Sequence, residues 1–256
     1  MNAYDHVLIA RSKGRNTCID FIKEIFTDFT EMHGDRRFKD DMAVICGLAY
    51  LSDIPCTVIG LEKGKDNNDK QKRNFGSAHP EGYRKALRHM KLAEKFNRPI
   101  IMFVDTPGAF CGIEAEQRGQ GQAIAENLYE MSAIKTPMLS VLIGEGGSGG
   151  ALALAVADEV WMLENAVYSV ISPEGCASIL WKDSSKVKQA SENLKLTADD
   201  LKSLGVVERI IEEDETIFKN LHDDMYELIR KNLKLDKDEL VLKRYTRYRR
   251  MGNLND

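Results

Sequence analysis

Gly144-Glu-Gly-Gly-Ser-Gly-Gly150 is the stretch that decides how the rest of this 256-residue sequence is interpreted. It follows an apolar run at 138–143 and precedes small residues with helical character at 151–157. Five glycines in seven positions let a ligand or another backbone approach closely. N–H groups at the start of a helix lack internal acceptors and carry the positive end of the helix dipole. The segment therefore predicts a turn that binds negatively charged oxygen.

Buried strands and helices alternate outward from this turn. Continuous apolar runs at 99–104, 138–143 and 159–163 are typical of strands buried on both faces. Helically spaced apolar residues lie between them. Two further strands, at 43–51 and 56–61, are predicted to form a hairpin. The pattern predicts an α/β fold around a mostly parallel sheet with right-handed crossovers.

Outside the sheet, the sequence predicts helices and one long loop. Thr17-Cys-Ile-Asp20 resembles a capping box, and the apolar spacing after it predicts a helix that continues to His33. Residues 63–74 are polar and unpatterned, which predicts a surface loop. Pro80 suits the first position of the next helix. A short strand is expected at 207–211 before a long C-terminal helix.

Composition excludes several classes of protein. The net charge of −4 argues against a nucleic-acid-binding surface over the whole chain. No apolar run is long enough to cross a membrane, and the first residues do not resemble a secretory signal. The five cysteines form no C-x-x-C pair, so buried thiols in a reducing compartment are expected, in a cytoplasmic protein without a metal site. Lys243-Arg-Tyr-Thr-Arg-Tyr-Arg-Arg250 fits a solvated helix end, a subunit contact or, less well, a nucleic-acid contact.

The glycine segment also fits a dinucleotide-binding fingerprint. Gly144-x-Gly146-x-x-Gly149 follows a strand, and Glu164 lies about twenty residues further on, as the fingerprint requires. Against this, the motif follows two earlier βα units, and few strands remain for a paired second half. An NAD-binding oxidoreductase is therefore the alternative function.

Three other interpretations of the glycines are weaker. Gly146-x-Ser148-x-Gly150 matches the nucleophile elbow of serine hydrolases, but the one downstream histidine, His222, lies in an amphipathic helix where an exposed position is favoured. Asp105-x-x-Gly108 resembles a GTPase switch, but no complete phosphate-binding loop precedes it, which excludes that class. Glycines can also simply permit close packing of a helix on a strand.

Four separated segments occur together in a recognisable order. They are Phe75-Gly-Ser-Ala-His-Pro-Glu-Gly-Tyr-Arg-Lys-Ala86, Val104-Asp-Thr-Pro-Gly-Ala109, Gly144-Glu-Gly-Gly-Ser-Gly-Gly-Ala-Leu-Ala153 and Tyr168-Ser-Val-Ile-Ser-Pro-Glu-Gly-Cys-Ala-Ser-Ile-Leu-Trp181. In this order they resemble the carboxyltransferase α-subunit family of bacterial acetyl-CoA carboxylase. The resemblance implies an α/β, crotonase-like (ClpP/crotonase) fold of ββα units wound into a spiral. It implies a carboxyltransferase core at 35–212 between an N-terminal helical extension at 1–34 and a C-terminal helical extension at 213–256.

The resemblance also implies a reaction and its partners. A carboxyl group would pass from carboxybiotin, on the biotin carboxyl carrier protein, to acetyl-CoA, giving malonyl-CoA in the first committed step of fatty acid biosynthesis. This chain would supply the carboxybiotin half of the site. A homologous β subunit would bind most of acetyl-CoA, in an α2β2 heterotetramer, and a separate biotin carboxylase would consume ATP. Biotin is the implied cofactor, and no metal is implied for this chain.

The same resemblance places the site on the two glycine turns. Negative charge develops on the ureido oxygen of biotin during transfer, and each N–H donor aimed at it is worth about 3 kcal/mol. The donors are expected at Gly146 and Gly147, with Gly149 and Gly150 shaping the turn. Gly108-Ala109 is the neighbouring wall and can contribute a further donor.

The sequence departs from the family in two places. Little precedes the first predicted helix, whereas many members carry a longer N-terminal helical region. Cys111 stands where the family commonly has proline after the first glycine turn, which affects the expected rigidity of that turn.

Overall fold

The computed structural model describes residues 1–252. Within them the strands are β1 Thr27–Glu31, β2 Val44–Leu51, β3 Ile54–Leu61, β4 Ile100–Thr106, β5 Met138–Gly147, β6 Glu159–Leu163, β7 Val167–Ser169 and β8 Arg209–Ile211. The α-helices are α1 Ala3–Ala10, α2 Cys18–Ile25, α3 Asn67–Lys72, α4 Pro80–Lys95, α5 Ile113–Gln117, α6 Gln120–Ala133, α7 Ser148–Leu152, α8 Pro173–Trp181, α9 Val187–Leu194, α10 Ala198–Ser203, α11 Ile217–Asn232 and α12 Lys237–Arg250. Residues 253–256 of the predicted C-terminal extension lie outside the described residues.

The strands form one mixed sheet in the order β1-β2-β3-β4-β5-β6-β8. β1, β2 and β3 pair antiparallel, and β3, β4, β5, β6 and β8 pair parallel. β7 pairs with the last residues of β5, which belong to the glycine segment. The β2–β3 hairpin and α4 form a ββα unit. The predicted α/β class is confirmed, and the carboxyl ends of β4 and β5 meet at one edge of the sheet.

Helices cover both faces of this sheet. Val44 of β2 faces α4, where a Cβ on Gly82 would lie 2.6 Å from the valine side chain. Gly60 of β3 pairs with Ile45, the next residue along β2, and therefore faces the opposite side. There a Cβ on Gly60 would lie 2.1 Å from Sγ of Cys18 in α2. All seven residues of β4 are buried between these layers, and each large apolar side chain contributes about 2 kcal/mol.

The predicted helix from Thr17 to His33 is wrong in its second half. α2 ends at Ile25, and residues 27–31 form β1, paired antiparallel with β2. The reason is tertiary: Phe29 packs so closely over β2 that a Cβ on Gly47 would lie 2.4 Å from its ring. Apolar spacing cannot distinguish this edge strand from another helical turn.

The predicted loop at 63–74 is also partly wrong, because it contains α3. The carboxylate of Asp66 accepts a hydrogen bond from the N–H of Asp69 and so caps the helix at its start. None of the residues of α3 is buried, so no apolar spacing marks the helix in the sequence. The predicted start of α4 at Pro80 is confirmed.

The basic stretch near the C-terminus forms most of α12. Arg244 is 1% exposed, forms an ion pair with Asp158 at 2.7 Å and donates to the carbonyl oxygens of Met131 and Ile134. Arg247 pairs with Glu208. These two arginines hold α12 onto the sheet and α6. No helix within residues 1–252 is both long and apolar enough to span a membrane.

Buried charges tie α4 to the segment between β1 and β2. Lys85 is fully buried, and its Nζ lies 2.6 Å from Oδ1 of Asp40 and 2.8 Å from the carbonyl oxygen of Asp41. Although burial of Asp40 has the opposite effect, its hydrogen bond to Lys85 lowers the pKa of Asp40 to about 2. Nearby, Arg84 pairs with Asp35 at 2.8 Å.

His89 of α4 should make the fold sensitive to acid. Its side chain is buried, and burial followed by the charges of Arg88 and Lys85 lowers the pKa of His89 to about 3. The unfolded chain takes up a proton below about pH 6.5 that the folded chain does not bind, so stability falls with pH from there towards about 3. Between pH 7 and pH 5 the loss from this residue is about 2 kcal/mol. His89→Gln should lose less stability over that interval, as measured by urea unfolding at both pH values. Equal losses in the two proteins would contradict the assignment.

Candidate functional site

The two glycine turns predicted from the sequence lie against each other at the carboxyl ends of β4 and β5. A Cβ on Gly147 would lie 2.1 Å from the carbonyl oxygen of Pro107. A Cβ on Gly150 would lie 2.4 Å from the nitrogen of Ala109. Main chain therefore packs on main chain, and both positions require glycine because any side chain would separate the turns.

The glycine segment continues β5 instead of leaving it. β5 ends at Gly147, and the helix that follows, α7, has only five residues. Gly146 is paired with Thr106 of β4. Because Pro107 has no N–H, this pairing requires the N–H of Gly147 to donate to the carbonyl of Thr106. The N–H of Gly146 then points to the other neighbour, β7, with which Gly146 and Gly147 also pair.

Some of the other N–H groups of the turns have acceptors, and some have none among the described residues. The N–H of Gly108 donates to Oγ1 of Thr106 at 3.0 Å, and that of Phe110 donates to the carbonyl of Ala78 at 3.0 Å. Between them, the N–H of Ala109 has no acceptor among residues 1–252. Gly149 is the second residue of α7, where an N–H has no acceptor within the helix, and no side chain caps α7.

One side of the turns is open and the other is packed. Ser148 is exposed, whereas Gly147 and Gly149 are half-buried. Ser148 adopts a left-handed φ of 54°, which turns the chain sharply from β5 into α7. On the packed side, the fully buried Tyr83 has its hydroxyl 2.9 Å from the position of a Cβ on Gly150. That hydroxyl has no hydrogen-bond partner in the described part of the chain.

A cluster of buried charges behind the turns was not found from the sequence. Nζ of Lys63 lies 2.6 Å from Oδ1 of Asp105 and 2.8 Å from Oε2 of Glu145. The same Asp105 oxygen accepts the N–H of Glu145 at 2.8 Å. Arg11, which follows α1 directly, pairs with Glu145 and with Glu174 of α8, both at 2.7 Å. The cluster joins the ends of β4 and β5 to two helices.

The electrostatics favour the charged forms of Lys63 and Glu145 in this cluster. Burial alone would lower the pKa of Lys63, but Asp105 and Glu145 outweigh it, so the pKa of Lys63 is raised. Burial would raise the pKa of Glu145, but Lys63 and Arg11 outweigh it, and the pKa is lowered. Lys63 is therefore neutralised by two carboxylates.

A cavity of about 360 Å³ opens beside the cluster and reaches Pro107 of the first turn. Its charged lining residues are Arg11, Arg15, Lys63, Lys65, Lys70, Asp20, Asp105 and Glu145. The outer side of the second turn lies on the surface instead. Residues 1–252 contain no group of three or more His, Cys, Asp or Glu side chains that could hold a metal ion.

Neither rival interpretation of the glycine motif fits its surroundings. Gly144 and Gly146 of the dinucleotide fingerprint lie inside β5, and a Cβ on Gly144 would meet the Asp105 carboxylate at 2.3 Å. They therefore do not form the turn that holds a pyrophosphate. The histidine required by a serine hydrolase, His222, bonds through Nε2 to Oγ of Ser52 at 3.0 Å, at the tip of the β2–β3 hairpin.

Ser148→Ala should therefore leave activity nearly unchanged. The Ser148 side chain is exposed and forms no hydrogen bond with the described residues, and no histidine lies beside it as a base. We expect kcat within about twofold of the unmodified protein, compared with losses of about 10² or more for a true nucleophile. The measurement is the carboxyl transfer that the sequence resemblance implies, with circular dichroism as the folding control. Complete loss by a folded variant would restore the nucleophile hypothesis.

The family model and the similar sequences identify the same family. The family model described as acetyl co-enzyme A carboxylase carboxyltransferase-like matches residues 1–252. The acetyl-coenzyme A carboxylase carboxyl transferase subunit alpha of Ruminiclostridium cellulolyticum is 63% identical, over 98% of each chain. A relative from Natranaerobius thermophilus, named subunits beta/alpha, is 55% identical over 98% of this chain and 43% of its own length.

Solved structures show the fold. Transcarboxylase 12S superposes with a TM-score of 0.71 at 20% identity, over 88% of this chain and 44% of its own. A Pseudomonas malonate decarboxylase hetero-tetramer, in complex with coenzyme A, superposes with a TM-score of 0.66 at 18% identity, over 84% and 91%. Carboxyltransferases of the crotonase fold are thus the structural neighbours, and the predicted crotonase-like fold is confirmed. These comparisons give no support to the oxidoreductase alternative.

Proposed function

Because the chain belongs to the acetyl-CoA carboxylase carboxyltransferase family, as an α subunit that acts with a β subunit, we propose that its two interlocked glycine turns form the carboxybiotin half of the transferase site. The observation that supports this is that the N–H groups of Ala109 and Gly149 have no acceptor among residues 1–252, at a surface where those of Gly108, Phe110 and Gly147 are already bonded. Such preorganised donors stabilise charge that develops during a reaction.

Within this site we place the donors at Ala109 and Gly149. The strand register uses the N–H groups of Gly146 and Gly147 to hold the turns in the sheet, so these two residues support the site. Gly108 and Gly150 shape it by allowing close approach of the two main chains. All six predicted residues thus stay in the proposed site, with the donor role moved from Gly146 and Gly147 to Ala109 and Gly149.

The proposed chemistry uses few side chains. When bound, carboxybiotin would supply the carboxyl group, and departure of that group would leave negative charge on the ureido oxygen. The N–H groups of Ala109 and Gly149 hold that charge, each worth about 3 kcal/mol. Lys63 and Asp105, which lie behind the turns, are already paired with each other. They position β4 and β5 and leave proton transfer to the substrates.

The open side of the turns fits a site completed by another chain. Large apolar side chains are exposed on segments next to the turns: Ile113 is 79% exposed, Val170 76%, Ile179 69% and Leu180 62%. A patch of this kind is typical of a protein interface. We propose that the β subunit covers it and brings acetyl-CoA to the N–H donors, in an α2β2 assembly.

The remaining partners follow from the same proposal. A biotin carboxyl carrier protein would present carboxybiotin to this chain, and a biotin carboxylase would regenerate carboxybiotin with ATP. All of these would act in the cytoplasm, in the formation of malonyl-CoA for fatty acid biosynthesis.

Reconstitution tests the proposal. The chain is purified alone and together with a β subunit, and each preparation is given malonyl-CoA and biotin. The expected result is biotin-dependent formation of acetyl-CoA by the pair and by neither subunit alone. Binding of NADH by the chain, together with no transfer by a well-formed pair, would reject the proposed function in favour of the oxidoreductase.

A further inference from the structure

A cationic groove runs along the outer face of α4. It has a volume of about 450 Å³ and a floor formed by Leu87 and Leu92. Its lining contains six basic residues, Arg36, Arg37, Arg84, Arg88, Lys91 and Lys95, and two acidic residues, Asp35 and Glu126. The excess of four positive charges contrasts with the net charge of −4 of the whole chain.

Half of these basic residues have no acidic partner. Arg84 pairs with Asp35 at 2.8 Å, Lys91 with Glu130 at 2.7 Å and Arg37 with Glu126 at 3.9 Å. In the described part of the chain, no carboxylate lies within ion-pair distance of Arg36, Arg88 or Lys95. Arg36 and Arg88 donate instead to carbonyl oxygens of the segment before β2.

The positive charges of Arg36 and Arg88 lie close enough to repel each other. Burial, followed by the charge of Arg36, lowers the pKa of Arg88. An anion in the groove would relieve this repulsion.

The groove has the length and composition of a protein-binding surface. The α4 residues Arg84, Arg88, Lys91 and Lys95 follow one helical stripe that is about 16 Å long at 1.5 Å per residue. Two exposed aromatic rings lie next in sequence to groove residues. Phe38, which follows Arg37, is 60% exposed, and Phe96, which follows Lys95, is 58% exposed. Arginine and aromatic side chains are enriched at protein interfaces. A long nucleic acid fits less well, because the rest of the chain would repel it.

The groove also lies beside the proposed active site. Tyr83 of α4 lies under Gly150, and Arg84, the next residue, lines the groove. Ile124 of α6 contacts the position of a Cβ on Gly149, and Glu126 lines the groove. The neighbouring helices α4 and α6 thus lie between the site and the groove. The separation is about one helix diameter, 10 to 12 Å.

We infer that this groove is the docking surface for the acidic face of the folded domain that carries biotin. A domain bound there would reach around one helix and place its biotin at the glycine turns. The inference rests on the proposed function. Docking through complementary charge speeds association and depends on salt.

The test compares two forms of the same substrate. The α and β subunits are assembled, and carboxyl transfer from malonyl-CoA is measured to free biotin and to biotin linked to the carrier domain. The variant carries Arg36→Glu and Lys95→Glu, two exposed positions without acidic partners. The control carries Lys188→Glu and Lys234→Glu, which make the same charge change outside the groove.

We expect the groove variant to raise KM for the carrier-linked form about tenfold at low salt. Its kcat and KM for free biotin should equal those of the control variant, and added salt should reduce the difference between the two. An unchanged KM for the carrier, or an equal loss with free biotin, would overturn the docking inference while leaving the proposed function in place. No transfer by the unmodified pair to either form would overturn the proposed function itself.

Discussion

Gly147→Ala is expected to lower kcat for carboxyl transfer by about 10² or more. The added methyl group would lie 2.1 Å from the carbonyl oxygen of Pro107 and 2.9 Å from the nitrogen of Gly108. These are main-chain atoms, so the whole turn has to move. The turn contains Ala109, one of the two proposed donors, and loss of a single donor typically costs 10² to 10³ in rate.

Gly149→Ala is the matched control for this change. It lies two residues away, and its new methyl group would meet only the side chain of Ile124, at an ordinary distance of 3.6 Å. Its N–H remains available as a donor. We expect it to keep most of the activity and to unfold at nearly the same urea concentration as the unmodified chain. Equal activity in Gly147→Ala and Gly149→Ala, with both proteins folded, would show that contact between the two turns does not matter for transfer.

Lys63→Met is expected to destabilise the fold by about 3 to 5 kcal/mol, because it leaves Asp105 and Glu145 without their shared cation. Methionine keeps most of the apolar stem, so the loss comes mainly from the charge. The activity should fall as well, since Asp105 links the ends of β4 and β5. Urea unfolding measures the first effect, and carboxyl transfer below the unfolding transition measures the second.

The pH dependence distinguishes lost charge from lost packing. Burial raises the pKa of Asp105, and Lys63 opposes that effect. Without Lys63 the pKa should rise further, so the folded variant binds a proton that the unfolded chain does not, and its stability increases as pH falls. The destabilisation should therefore be smaller at pH 5 than at pH 8. Lys65→Met is the control, because the Lys65 side chain is 60% exposed and its pair with Asp20 should be worth at most about 1 kcal/mol. An effect of Lys63→Met that is equally small would contradict a structural role for the cluster.

Much of the fold could be predicted because its signals are local. The apolar runs of β4, β5 and β6 are buried strands, as their composition indicates. β1 could not be predicted, because its five residues have one half-buried side chain and their pairing depends on β2. α3 could not be predicted either, since a helix with no buried face leaves no apolar pattern.

The site could be predicted in part for a related reason. Two glycine turns at strand ends are visible in the sequence, and parallel strands bring such ends together. Which N–H groups are free depends on strand register, here on the pairing of Gly146 with Thr106 beside a proline. The charge cluster depends on Lys63 and Glu145, which are 82 positions apart and have no shared motif. Only the fold brings them into contact.

Replacement of a single main-chain N–H tests the central claim most directly. An ester bond in place of the amide at Ala109, introduced by incorporating L-lactate at that position, removes the N–H and keeps the methyl side chain. The α subunit with this ester, assembled with the β subunit, should transfer carboxyl groups with a kcat about 10² to 10³ lower and a nearly unchanged KM for biotin. A kcat equal to that of the all-amide protein would contradict the claim that this N–H stabilises the charge that forms during transfer.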